Sequence, residues 1–374
     1  MRYFQEADLK DKRVFLRVDF NVPMDNGDIT DVNRIRAVLP TIKYLVESRA
    51  KLIIGTHLGR PDGKNSEETS IAPVAKELQR MLNLKVAMAP GIFGPSVDKL
   101  IENLQLGGIV VLENLRWDKR EEENDPVFAE ELAKYADIYV NDAFAVSHRA
   151  NASVEAITRY LPSYAGFLLQ LETRNLNELL DEPKKPFIIV LGGVKIQDKA
   201  GMIMKLAPRA DKILVGGGVA NTFLKARGED IGDSVYDAEM VDECAKMLKK
   251  FSRKIVLPID SAKEDLANGS WRILDIGPDA VKKFSDFIKG AETVLWNGNL
   301  GMTEDVRFAE GSLAIAKTIS SLSGKTTIIA GGDTVGFVRA NHLERGVKFL
   351  STGGGAALEF LAGQKLPGIE ALKN

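Results

Sequence analysis

The sequence predicts an α/β fold, with stacked βα units around mainly parallel sheets in two domains. Short Val/Ile/Leu-rich runs alternate with amphipathic helical patterns from end to end, which is the signature of such units. At 374 residues the chain exceeds what a single hydrophobic core usually serves. Near its middle, SYAGFLLQLETRNLNELLDEPKKPF reads as one long helix through Leu168, Leu169, Leu171, Leu176, Leu179 and Leu180, closed by the Pro183 to Pro186 segment. A helix and a Pro/Lys break between two α/β layers make the stretch from Ser163 to Leu180 a hinge candidate.

In chain order, the first half carries strand patterns at RVFLRV, KLIIGT, KVAMA, GIVVLEN and IYVNDA. Helical patterns between them include VNRIRAVLPTIKYLVES, IAPVAKELQRML and FAEELAKYA, and Pro40 inside the first predicts a bend or an early break. The second half carries strands at FIIVLGG, KILVGGG, KIVLP, TVLWNG, TIIAGG and VKFLST. Cys244, in DAEMVDECAKMLKK, reads as a small residue of an amphipathic helix.

Composition narrows the functional classes. Lys+Arg 50 against Asp+Glu 52 gives a net charge of −2, which argues against a protein devoted to nucleic acid or anionic membrane. The N-terminus lacks the apolar core of a secretory signal, and no run approaches the roughly 18 apolar residues of a membrane span, so a cytoplasmic location is expected. A single cysteine permits neither an internal disulfide nor a multi-cysteine metal site.

Ligands of open parallel sheets bind beyond the carboxyl ends of the strands. In the first half, cationic and polar residues collect there: Arg17, Asp19 and Asn21 after the first strand, His57 and Arg60 in GTHLGRP, Arg116 in LENLRW, and His148 and Arg149 in DAFAVSHRAN, with Arg34 opening the first helix. One such arginine is usually a solvated surface residue. Four strand ends delivering guanidinium or imidazole to one rim would make a cationic basin in a nearly neutral protein, suited to a small phosphorylated acid. Asp19 and Asn21 would orient a hydroxyl or hold the arginines, and Arg17, deepest in the strand, would hold Asp19 rather than touch the ligand.

The second half offers glycine instead. LGGVKIQDK, VGGGVANTF, IAGGDTVGF and STGGGAALEF each follow a strand and precede a helix, where glycine lets the backbone approach a phosphate. Four such loops, with Lys195 and Lys199 beside the first, favour a nucleotide. Neither standard motif fits. SGKTT at Ser323 to Thr327 resembles the end of a Walker A loop, but Ile319 stands where that pattern needs glycine, and no strand-coupled GxGxxG occurs. Asp333, at the start of a helix, is either a Mg2+ contact or a plain N-cap.

Taken together and in order, RVDFNVP, THLGRP, LENLR, DAF with HRA, GGVK with DK, VGGG, LDIGP, WNG, GGDT and STGGGA resemble phosphoglycerate kinase over essentially the whole chain. The resemblance implies two Rossmann-like domains facing each other across a cleft: 1–165 for the phosphoglycerate, 183–359 for the nucleotide, a hinge helix at 166–182, and a tail, 360–374, returning to the first domain. It implies a monomer that transfers a phosphoryl group between ATP and 3-phosphoglycerate, giving ADP and 1,3-bisphosphoglycerate, with Mg2+. Asp19, Asn21, Arg34, His57, Leu58, Gly59, Arg60, Arg116, Arg149 and Asn151 would then hold the acid. Lys195, Lys199, Gly216, Gly217, Asn297, Glu304, Gly331, Gly332, Asp333 and Thr334 would serve the nucleotide, with Asp333 on the metal. Gly353 and Gly354 would present a helix N-terminus to the transferring group, and Arg34, Lys195 and Lys199 would carry the catalytic charge.

The sequence departs from the family pattern in three places, one of them a segment from PIDSAKED to LDIGP shorter than usual by roughly twenty residues, a loop trim the fold tolerates. AVSHRAN stands where GTAHRAH or GTAHRAQ is usual, putting the shorter Asn151 at a phosphate contact. WNGPxGVFE has become WNGNLGMTE, with Asn299, Met302 and Thr303 replacing Pro, Val and Phe while Glu304 survives. The phosphate-handling residues are intact, so an active kinase with altered nucleotide affinity or base preference is expected. The competing readings are a catalytically silent binder that kept the fold and a kinase of a related small acid.

Overall fold

The computed structural model describes residues 1–373. It divides into two compact units, one of Met1–Thr173 with the chain from Lys365 onward, the other of Arg174–Gln364.

The first unit is built on a six-stranded sheet of β1 (Arg13–Arg17), β2 (Lys51–Gly55), β3 (Val86–Met88), β4 (Ile109–Val111), β5 (Ile138–Asn141) and β6 (Ser163–Ala165), in the order β3-β4-β2-β1-β5-β6. Every pairing is parallel. The second unit has β7 (Phe187–Leu191), β8 (Lys212–Val215), β9 (Ile255–Val256), β10 (Thr293–Asn297), β11 (Thr326–Ala330) and β12 (Phe349–Leu350), all parallel, in the order β9-β8-β7-β10-β11-β12.

In each sheet the first strand of the unit is central, the next strand in the chain that pairs with it lies on one side, and a later one lies on the other. The switch in direction falls between β1 and β5, and between β7 and β10. Loops leaving two such strands diverge to opposite faces and open a crevice at their carboxyl ends, where ligands bind in this fold class. Residues 18–21 and 142–151 lie at the first crevice, and residues 192–195 and 298–304 at the second.

Strand alternation decides what the β1 side chains meet. Val14, Leu16 and Val18 enter the apolar layer with Ile35, Val38 and Ile42, whereas Phe15 enters the opposite layer with Val110, Leu112 and Tyr139. Arg17 follows Phe15 on that second face and is 1% exposed.

Two expectations about the elements need correction, an early break at Pro40 and a helix starting at Ser163, and one element was not foreseen. The first helix runs unbroken from Asn33 to Glu47 through Pro40. Pro40 costs about 3 kcal/mol in a helix interior, but Ile35, Val38, Ile42 and Leu45 on either side of it are fully buried, and each such side chain contributes about 1.5 to 3 kcal/mol. The stretch read as one helix from Ser163 begins instead with β6, and the helix spans Phe167–Leu180. An antiparallel hairpin, Ser261–Asp265 with Trp271–Ile276, was not foreseen, because its half-exposed strands lack an apolar run. Cys244 is fully buried in the helix Val241–Lys250, and burial pushes its thiol up to about 12, so it packs and does not react at neutral pH.

Candidate active site

In the first unit, Asp19 and Asn21 lie just past the end of β1, whose last register partners are Gly55 and Asn141. Asp19 is buried, and its carboxylate pairs with Arg34 from the first turn of the helix Asn33–Glu47. Its Oδ1 also accepts from the Asn21 backbone N–H at 3.1 Å and lies 3.8 Å from His57 Nδ1. Asn21 Oδ1 accepts from the Gly59 backbone N–H at 2.8 Å, tying the loop after β1 to the loop after β2. Arg116, 4% exposed, donates from Nη1 to the Gly59 carbonyl at 3.2 Å, so three strand ends meet at one backbone segment. Leu58 is buried at that junction, and its carbonyl accepts from Asn114 Nδ2 at 2.7 Å.

The electrostatics follow from this crowding. Burial, then the charges of Arg17, Arg116, Arg34 and Arg149, hold His57 well below its usual range, so it is a neutral imidazole at physiological pH. Burial also lowers Arg116, partly offset by Glu122. Four guanidinium groups within electrostatic reach of one imidazole make the cationic basin expected at these strand ends. Arg60 is exposed and is not among the charges that bear on His57. Arg149 is exposed and donates from Nε to His148 Nε2 at 3.3 Å.

Two of the expected residues lie beneath this rim. Arg17 does not hold Asp19. Its Nε donates to Ser153 Oγ at 2.7 Å, Nη1 donates to the Val18 carbonyl, and Nη2 lies 3.7 Å from Glu121 Oε1, with Glu121 fully buried. Ser153 in turn gives both its hydroxyl and its backbone N–H to Glu121, at 2.6 and 2.9 Å. Asn151 is also buried, and its Nδ2 donates to the Glu121 carbonyl at 3.2 Å. Glu121 therefore organises the floor of the basin, and nothing in its local run KREEEND distinguishes it from a solvated acid.

In the second unit the glycine loops wall a cavity of about 640 Å³. Lys195, Lys199, Gly217 and Asn297 line it, as do Glu304 and the run from Gly331 to Thr334, with Gly354 and Gly355. Gly216 and Gly353 are not on the wall: a Cβ at Gly216 would lie 2.6 Å from a Leu300 methyl, and the Gly353 N–H donates to Ser351 Oγ at 3.1 Å.

Glycine is required here first by loop-to-loop contact. A Cβ at Gly192 would come within 2.1 Å of the Asn299 carbonyl oxygen, and one at Gly298 within 2.3 Å of the Gly192 oxygen. The loops after β7 and β10 thus pack backbone against backbone at the switch point. Gly331 has φ 99°, open to glycine at little cost, and turns β11 into the helix Gly332–Ala340. Thr334 Oγ1 accepts from the Gly298 N–H at 2.9 Å, and Asn297 Nδ2 donates to the Ala330 carbonyl at 3.0 Å, fixing the two loops together.

Lys199 is buried against the cavity, its Nζ 3.5 Å from the Lys195 carbonyl. Burial lowers its ammonium, opposed by the charges of Asp198 and Asp333. Asp333 is exposed in the first turn, the N-cap position is Gly331, and no side chain caps the helix, which removes the plain N-cap reading. Among the described residues no ion pair engages Asp333, and no cluster of three His, Cys, Asp or Glu could hold a metal by itself. An exposed carboxylate on the wall, with no ion-pair partner, suits a hard cation whose remaining ligands are phosphate oxygens and water. Asn221 also lines the cavity and was missed; it is buried, with Nδ2 donating to the Val235 carbonyl at 3.0 Å and Oδ1 without a partner. The available signal was an amide inside the apolar helix GGVANTFLKA.

Comparison with known proteins points to a single family. The family model described as phosphoglycerate kinase matches residues 4–364. The phosphoglycerate kinase of Thermosipho africanus is 44% identical, with 99% of this chain and 97% of the relative covered. That of Moorella thermoacetica is 42% identical, with 98% of each covered. Solved structures of phosphoglycerate kinase from Coxiella burnetii and Pyrococcus horikoshii superpose with TM-scores of 0.87 and 0.89 at 35% and 33% identity, covering 99% and 100% of this chain and 98% of each neighbour.

Proposed function

The chain belongs to the phosphoglycerate kinase family, a phosphotransferase with a carboxyl group as acceptor, and from that premise we propose how its two clusters divide the reaction. The basin of the first unit takes 3-phosphoglycerate or 1,3-bisphosphoglycerate, and the cavity of the second takes ATP or ADP. The observation that carries this assignment is the set of Arg34, Arg116 and Arg149 around the neutral, buried His57, because it offers several charged donors to phosphate and carboxylate oxygens while the imidazole adds no charge of its own.

Asp19 holds Arg34 at the edge of the basin, and Asn21 fixes the Leu58–Gly59 backbone against which Arg116 is set. Arg60 and Arg149, both exposed, close on the ligand phosphate. Asn151 acts from below through Glu121. On the nucleotide side, Lys195 and Lys199 meet phosphate oxygens, Glu304 meets the ribose end, and Gly354 presents backbone to the group in transfer. Mg2+ would be held by Asp333 with the nucleotide phosphates and would offset their charge when bound.

Phosphoryl transfer asks mainly for in-line positioning and positive charge around the equatorial oxygens. Arg34, Lys195 and Lys199 supply that charge, and no general base is needed because the attacking carboxylate is already ionised. Reacting atoms must come within about 3 to 3.5 Å. The helix Phe167–Leu180 passes from one unit to the other, and we assign it the hinge. An identical radius of gyration by solution scattering with neither and with both substrates would remove that assignment.

We read the enzyme as a cytoplasmic monomer acting on small molecules, without nucleic acid or membrane partners. No helix among the described residues is long and apolar enough to cross a membrane. A coupled assay with 3-phosphoglycerate and MgATP tests the function directly; absence of turnover would leave a silent binder, and turnover only with another acid would leave a related kinase.

A further inference from the structure

The SGKTT stretch that resembled a Walker A loop lies in the wrong context for one. A phosphate-binding loop follows a strand and precedes a helix, whereas Ser323 and Gly324 follow the helix Glu310–Ser320 and Thr326 opens β11. The stretch therefore sits at the amino ends of the strands, away from the glycine loops at their carboxyl ends. There it walls a separate cavity of about 490 Å³.

The charge on this wall is one-sided. Lys184, Lys325, Arg345 and Lys348 line it, against the single carboxylate of Glu178. Lys348 Nζ is held by Glu178 Oε2 at 2.8 Å, and Lys325 is held by Glu292, outside the wall. Among the described residues neither Lys184 nor Arg345 has a carboxylate within ion-pair distance, and both are exposed. The excess is local, since the whole chain carries a net charge of −2. The wall also supplies the Ser323 hydroxyl, and the Gly324 and Lys325 backbone N–H groups have no acceptor among the described residues.

We propose that this cavity is a second anion site, distinct from the nucleotide cavity, for a small molecule carrying two phosphate groups. With Glu178 and Glu292 both counted, the four cations still leave more positive charge than a monovalent anion neutralises, and a volume of about 490 Å³ suits a small ligand rather than a nucleic acid strand. Two ammonium groups are already fixed by Glu178 and Glu292, so less side-chain freedom is lost on binding. Because Glu178 lies near the end of the helix Phe167–Leu180 and also accepts from Thr326 Oγ1 at 2.8 Å, an occupant that draws Lys348 inward loosens one of two bonds holding that helix end.

Inorganic pyrophosphate is the probe. The full chain is saturated with 3-phosphoglycerate, ADP and excess Mg2+, and residual pyrophosphate binding is measured by equilibrium dialysis. One residual pyrophosphate per chain is expected, weakened at least tenfold in the Lys184→Gln/Arg345→Gln double variant, with kcat unchanged. No residual binding to the unaltered chain, or residual binding equal in the variant, overturns the site. Neither result bears on the assay of the main reaction, which uses the other cavity.

Discussion

Asn299 donates from Nδ2 to Thr303 Oγ1 at 2.8 Å across the turn that walls the nucleotide cavity. These are two of the three positions at which the turn departs from the family's usual Pro, Val and Phe. A proline stiffens a turn by removing backbone freedom, and this chain substitutes a side-chain bond that spans the same segment.

Breaking that bond should therefore act on nucleotide binding and leave chemistry alone. A neutral hydrogen bond contributes about 1 kcal/mol, which is about fivefold in affinity. Thr303→Val should raise KM for ATP by about that factor with kcat intact, and Asn299→Pro in the same background should recover part of the loss. Steady-state kinetics with ATP and GTP reads both, and a Thr303→Val KM equal to the unaltered enzyme would show that the bond does not order the turn.

Lys199 should behave in the opposite way. Its ammonium is buried against the cavity and is favoured by the charge of Asp333, so it is a fixed charge already desolvated before the reaction begins. Removing one preorganised donor costs about 3 to 4 kcal/mol of barrier. Lys199→Ala is expected to lower kcat a hundredfold or more, with a smaller change in KM. A loss confined to KM would make Lys199 a ground-state contact.

Arg17 separates structure from chemistry. Its guanidinium lies with the fully buried Glu121, and removing one member of a buried pair leaves an uncompensated charge that costs about 3 to 5 kcal/mol. Arg17→Met is expected to lower the unfolding midpoint sharply while the folded fraction retains KM for 3-phosphoglycerate within a few fold. If instead the midpoint held and KM rose steeply, Arg17 would be a direct contact.

The same residue marks where the sequence stops being legible. Period-two alternation after β1, and cations at successive strand ends, were enough to find Asp19, Arg34, His57 and Arg116, because strand direction and the switch point dictate where such residues go. The partners that hold Arg17 were not, because Ser153 is 136 residues away and Glu121 sits in a run of acids that looks solvated. An early break at Pro40 and a helix through Ser163–Ala165 were misjudged for a related reason: local propensity is weak beside burial and pairing that only the assembled sheet supplies. The wall of the second unit's cavity was legible as glycine, and Gly192 and Gly298 also pack two loops backbone against backbone, with Gly298 on the wall as well.

Buried carboxylates give the last prediction. Asp142 is fully buried beneath the start of the helix Phe167–Leu180, with Oδ1 accepting from the Leu169 N–H at 3.0 Å and Oδ2 without a partner. Burial raises its carboxyl to about 7, against hydrogen bonds from Thr41 and the helix start that lower it. Burial likewise raises Asp275 to about 6, although the Gly311 and Ile276 N–H groups donate to it. An unfolded Asp titrates near about 3.9. Between that value and the folded one the native state holds the extra proton, so stability falls as pH rises. The contribution of Asp142 is complete below about 3.9 and is lost as pH climbs through about 7. Asp142→Asn keeps the Oδ1 acceptor and cannot ionise. Its unfolding midpoint, relative to the unaltered chain, is expected to improve steadily from pH 5 to about 8, as followed by calorimetry. A difference between the two proteins that stays constant over that range would show that Asp142 is ionised in the native state throughout.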